Sequence, residues 1–234
     1  MAMHYQPRTI AFHCELLHPA VQPDVAAIQR LHNRLFQSGE PAYRNFAVTH
    51  EGAVLSNPVA RPGAASHAAF LADRFRFAEE HTALTVEDFA ERVHAIASNV
   101  VQEVGIQVFT AQVVTVRTLV NPRHFRDGRG FLRQGLLGLD SEPEEFGRPA
   151  NGLGLRLVFP PTPQHPNAFA VRVESIPQDP RSLFLENIGT FPPLPIARGL
   201  DAVREHVAQT YAFAVSNVLR FLARFDAPEP AEEA

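Results

Sequence analysis

Between Thr85 and Val120 the period of the hydrophobic pattern changes once, from that of a helix to that of a strand. Val86, Phe89, Val93, Ile96, Ala97, Val100 and Val104 recur at helical spacing and form one apolar stripe. The Thr85 hydroxyl can accept from an amide three residues on, and Glu87 and Asp88 suit the positive end of a helix dipole. Gly105 can take the left-handed conformation that closes such a helix, with Ile106 as its capping contact. From Ile106 to Val120 the chain is β-branched and too long for an average strand, which predicts a bend or bulge, and Asn121-Pro122 ends it. A helix with one apolar stripe feeding directly into a long strand must cover a sheet.

The rest of the chain carries the same two periods. Thr9 to Leu17 alternates, with Ile10, Phe12, Cys14 and Leu16 on one side and His13 and Glu15 on the other. Asp24 opens a short helix with Ile28, Leu31, Leu35 and Phe36 at helical spacing and Gly39 beyond its end. Phe46–Val48 and Ala53–Leu55 read as a hairpin, followed by a Pro/Gly/Ala loop from Pro58 to Ala65. Asp73 to Phe77 alternates again, and three further strands are expected at Leu153–Phe159, Phe169–Ser175 and Leu183–Ile188, with Pro-rich turns between them. Leu200 to Phe225 is expected to form the longest helix, roughly 39 Å at 1.5 Å per residue. Residues 121 to 152 read as a long excursion, basic first and acidic after, and segments of that kind are often functional or mobile. We expect one domain over residues 1–225 and a disordered acidic tail over 226–234.

Composition closes several functional classes. All 21 basic residues are arginine. Without lysine there is no Schiff-base amine and no P-loop lysine for the β/γ-phosphates, and arginine replaces neither because it stays protonated. The single cysteine, Cys14, cannot close an intrachain disulfide, and its apolar alternation partners predict a buried, inert thiol. A net charge of -4 gives no general attraction to nucleic acid or to an anionic membrane. The opening Met-Ala-Met-His-Tyr-Gln-Pro-Arg lacks a signal-peptide apolar run, and no 18-residue apolar stretch occurs, so we expect a cytoplasmic protein with no membrane association.

The order of these parts resembles a sporadically distributed bacterial family of uncharacterised proteins of about this length. The likeness rests on Phe12-His13-Cys14-Glu15-Leu16, on Arg74-Phe75-Arg76-Phe77, on the helix passing into Val113–Asn121, and on Ser182-Leu183-Phe184-Leu185 running into the last helix. The resemblance implies an α+β fold with long helices on a largely antiparallel sheet, and no assigned activity or catalytic residues. With the element map, it leads us to expect a curved, mainly antiparallel sheet of seven to eight strands, with two long helices and one shorter helix packed on one face.

Candidate sites were sought among the residues that carry chemistry. His13 and Glu15 share a strand face, but no HExxH and no Cys/His ligand spacing occurs, so no metal or cofactor is assigned. No G-x-S-x-G elbow is present, and the glycines of 147–154 lack dinucleotide spacing. Glu79-Glu80 and Glu144-Glu145 sit in loop-like context, where a solvated charge run explains them. Arg74, Arg76, Arg117, Arg156 and Arg172 each lie in an expected strand on the side opposite its apolar residues. If those strands are adjacent, one sheet face carries a guanidinium row, with Glu15, Glu174 and Glu186 as cross-strand partners. The plain explanation is a charge-paired solvent face. The sharper one is a binding surface for a protein or an anionic ligand, extended by Arg123 and Arg126 on the flanking loop. A non-catalytic binding module is therefore the expectation. Its alternatives are a hydrolase-like enzyme with a pocket between helices and sheet, and nucleic-acid binding through the arginine row. The latter is disfavoured by net charge and by the absence of Trp and of an RNP-like aromatic pattern. Homo-oligomerisation is left open.

Overall fold

The structure, a computed structural model, describes residues 5–22, 24–39, 41–59, 61–139, 141 and 144–227. Nine strands form one antiparallel sheet. In chain order they are β1 (Arg8–Leu17), β2 (Asn45–Val48), β3 (Ala53–Ser56), β4 (Ala65–Phe70), β5 (Arg74–Glu80), β7 (Ala111–Val120), β8 (Gly154–Phe159), β9 (Ala168–Ile176) and β10 (Asp179–Phe191). A small second sheet pairs β6 (Val108–Phe109) with β11 (Leu194–Pro195). The helices are α1 (Val25–Gln37), α2 (Val86–Val104), a short α3 (Gly128–Gly130) that continues as a π-helical turn over Phe131–Leu136, and α4 (Asp201–Ala212). The last runs through a π-helical segment, Phe213–Val218, into α5 (Leu219–Ala223).

The sheet order is β2-β3-β4-β5-β1-β7-β10-β9-β8. Each half therefore closes its last long strand against its first, β5 on β1 and β10 on β7, and the two first strands meet at the centre. Each half also places a helix after its first strand and another after its meander, so the topology is repeated although the sequence carries no strong internal repeat.

Cross-strand partners share a sheet face. Cys14 faces Phe77 on one side and Val114 on the other, and Leu185 faces Val173. These side chains are fully or almost fully buried, and they pack with Phe89, Val93, Ile96 and Val203 in one core and with Phe131, Leu132 and Leu222 in a second. The helices α1 to α5 thus lie on one face of the sheet. The α2 stripe is seated as its spacing predicts, with the Thr85 hydroxyl accepting from the Asp88 amide at 3.1 Å and Gly105 at φ 71°. Gly189 is required where the sheet meets α4, since a Cβ there would stand 2.4 Å from the Thr210 hydroxyl.

The architecture departs from the expected map in four places. The sheet has nine strands rather than seven or eight. The strand that the sequence hides is β4, Ala-Ser-His-Ala-Ala-Phe, whose alanines give no β-branched signal and which adjoins a Pro/Gly/Ala loop. The run 106–120 does bend, as its length predicts: at Thr110 the amide donates to the Leu17 carbonyl, and this separates β6 from β7. The final helix is a continuous rod of α, π and α segments. Asn187 Nδ2 donates to the Thr210 carbonyl at 2.8 Å, and the ladder widens just beyond that point. Finally, the 121–152 segment contains a packed element: Phe131 and Leu132 are fully buried, and Asp127 caps the turn through the Gly130 amide at 2.6 Å. Four interspersed arginines disguise that apolar face in the sequence. At the other end, Asp226 belongs to the fold rather than to a tail, being buried and accepting from the Arg123 and His124 amides at 2.7 and 2.9 Å. Residues 228–234, the rest of the expected tail, lie outside the described residues.

Candidate functional site

The sheet face turned away from the helices carries the charged residues of the strands. Across the strands one row reads Ala65, Glu80, Ala11, Arg117, Glu186, Arg172 and Arg156. Four residues along the strands another row holds Arg76 beside Glu15, followed by Val113, Thr190 and Ala168. Between them lie His67, Ala78, His13, Thr115, Ile188, Ala170 and Val158. The middle of this face carries mostly uncharged side chains, and its charges stand in register.

The guanidiniums are paired along it. Glu15 accepts from Arg74 Nη1 at 3.0 Å and from Arg76 Nε at 3.1 Å. Glu186 accepts from Arg117 Nε at 2.7 Å, and its other oxygen lies 3.2 Å from Arg172 Nη2. Arg172 is also 3.6 Å from Glu174, and its guanidinium sits 5.3 Å from the Phe184 ring centroid. His13 Nε2 is 2.7 Å from Glu80, which stands 3.8 Å from Arg117. Arg156 is exposed and has no ion pair among the described residues. Of the five arginines expected to share a face, all five do so, and the three proposed glutamate partners all engage them. The fourth, Glu80, belongs to β5, because that strand runs three residues further than its alternation suggests. Its neighbour Glu79 points to the opposite face. It is buried, paired with Arg92, and accepts from the Ser66 hydroxyl at 2.9 Å.

Arg123 and Arg126 lie apart from this ladder, on the loop beyond β7. The loop is fixed by Asp226 and by Arg181, whose guanidinium donates to the carbonyls of Pro122, Phe125 and Arg126 at 2.7 to 2.9 Å. Arg123 lines a cleft of about 460 Å³ together with Tyr5, Arg8, Asn121, Asp179 and Arg181. Burial, reinforced by the hydrogen bond to Asp226, raises the Tyr5 phenol well above its ordinary range and keeps it protonated. This cleft has no counterpart in the sequence reading. Its walls come from three segments far apart in the chain, and Arg181 stands at the start of β10, just past a Pro-rich turn, where nothing marks it.

Between α1 and the sheet a pocket of about 20 Å³ is lined mainly by apolar side chains, with Gln22 and Asp24 among them. Cys14 is fully buried, and burial pushes its thiol up to about 12. Among the described residues no group of three or more His, Cys, Asp or Glu is placed to hold a metal ion, and no helix is long and apolar enough to cross a membrane. No protein-family model matches the chain, and no curated protein matches it either.

Proposed function

We propose that this protein is a non-catalytic binding module that presents the open face of its sheet to a protein partner. The observation that carries the reading is the one-sided architecture. The helices α1 to α5 pack on one face, and the other face of a nine-stranded sheet displays charged side chains of both signs in register. Five arginines (74, 76, 117, 156, 172) stand against four glutamates (15, 80, 174, 186), so the face has little net field. Such a surface favours a partner of matching mixed charge over a nucleic-acid backbone, which demands an excess of positive charge. Arg76 and Arg172 are more solvated than the other paired arginines of the ladder, with side chains 43% and 45% exposed, and Arg156 is exposed beside Arg172.

The test uses Arg76→Gln, Arg156→Gln and Arg172→Gln in one chain. These changes leave Arg74 on Glu15 and Arg117 on Glu186, so the fold is expected to persist. Loss of partner binding with an unchanged melting transition supports the reading, and unchanged binding removes the sheet face from consideration.

A further inference from the structure

We infer that the cleft at the ends of β1, β7 and β10 is a binding site for a phosphorylated small molecule. Three arginines from three segments line it: Arg8 at the start of β1, Arg123 after β7 and Arg181 at the start of β10. None of the three has a carboxylate within ion-pair distance among the described residues, in contrast to Arg74, Arg76, Arg117 and Arg172 on the neighbouring sheet face. Arg8 and Leu119 are cross-strand partners, so the cleft opens at the margin of that face.

Positioning is provided before any ligand arrives. Arg181 spends donors on three backbone carbonyls, which fixes its guanidinium without neutralising it. The Asp226 carboxylate holds the amides of Arg123 and His124, and this sets the backbone from which the Arg123 side chain departs. Ser182 donates to the Asn121 side-chain oxygen at 2.9 Å, tying the loop to β10. A cleft of about 460 Å³ falls within the roughly 300–1,000 Å³ typical of small-molecule sites.

Guanidiniums arriving from separate segments suit phosphate, whose peripheral oxygens point in three directions, better than carboxylate, whose two oxygens share one plane. Asp179 on the lining opposes a bare polyanion and can accept from a ligand hydroxyl. The chemistry therefore fits a phosphate ester that also carries hydroxyl groups. This site is independent of the sheet-face reading, and either can fail alone.

Isothermal titration with glucose 6-phosphate, pyrophosphate and citrate tests it. Saturable binding of at least one phosphate probe is expected, tighter than that of citrate. Arg8→Gln and Arg123→Gln should each weaken it about tenfold, the loss of one charge-assisted hydrogen bond, with melting temperatures unchanged. Arg44→Gln, an exposed arginine remote in sequence, should leave binding as it is. The inference is overturned if neither phosphate probe binds saturably, if citrate binds as tightly, or if Arg44→Gln weakens binding as much as the cleft substitutions do.

Discussion

Arg117 and Glu186 stand directly opposite each other on β7 and β10, with the guanidinium Nε donating to the carboxylate at 2.7 Å. The Glu186 side chain is only 11% exposed and also faces Arg172, so it bridges two guanidiniums whose other carboxylates, Glu80 and Glu174, stand farther off at 3.8 and 3.6 Å. Glu186→Gln should destabilise the fold by about 1–3 kcal/mol, since removing one partner leaves charge unpaired in a partly desolvated place. Urea denaturation checks this. In a double-mutant cycle, Glu186→Gln with Arg117→Gln should recover part of the loss.

Phe89 is fully buried and stacks on Phe12 with centroids 5.3 Å apart, joining α2 to the central strand β1. Phe89→Ala should cost about 3–5 kcal/mol, the usual range for an aromatic deleted from a core. A variant that melts like the parent protein would show that the stripe does not seat α2 on the sheet.

The Cys14 thiol is fully buried, and its Sγ lies 3.5 Å from Gln112 Nε2. Burial raises it to about 12, so it carries negligible thiolate near neutral pH. Thiol reagents should label it slowly in the native protein and rapidly in denaturant. Equal rates would place it on the wrong face of β1.

His206 stacks on Phe191 at 3.9 Å, and its Nδ1 is 2.7 Å from Gln112 Oε1. Burial lowers it from 6.5 to about 4. The unfolded chain therefore takes up a proton between those values that the folded chain refuses. The stability held above pH 6.5 should fall as pH drops from 6.5 to about 4. His206→Gln should lose less stability than the parent over that interval in urea titrations at pH 7 and pH 5.

How much of this was legible in the sequence depended on whether a face was marked by local alternation. The α2 stripe, the Cys14 side of β1 and the five strand arginines follow from periodicity, and so does the pairing of Glu15 and Glu186 with them. Strand β4 was not legible because alanine packs under neighbouring aromatics without a β-branched signal. The buried pair Phe131 and Leu132 was masked by flanking arginines, and the π segment begins just past Thr210, whose carbonyl accepts from Asn187, more than twenty residues away. The arginine cleft required three remote segments to meet, and only the β1–β7–β10 order brings them together.

The central claim is that the open face, and not the helical one, meets a partner. A photo-crosslinking amino acid at Thr190, exposed on that face near the end of β10, can be compared in the producing cell with one at Glu205, exposed on α4. The account predicts a crosslinked product of discrete mass from position 190, absent from position 205 and lost in the variant carrying Arg76→Gln, Arg156→Gln and Arg172→Gln. A product from position 205 alone, or one from position 190 that persists in that variant, would contradict it.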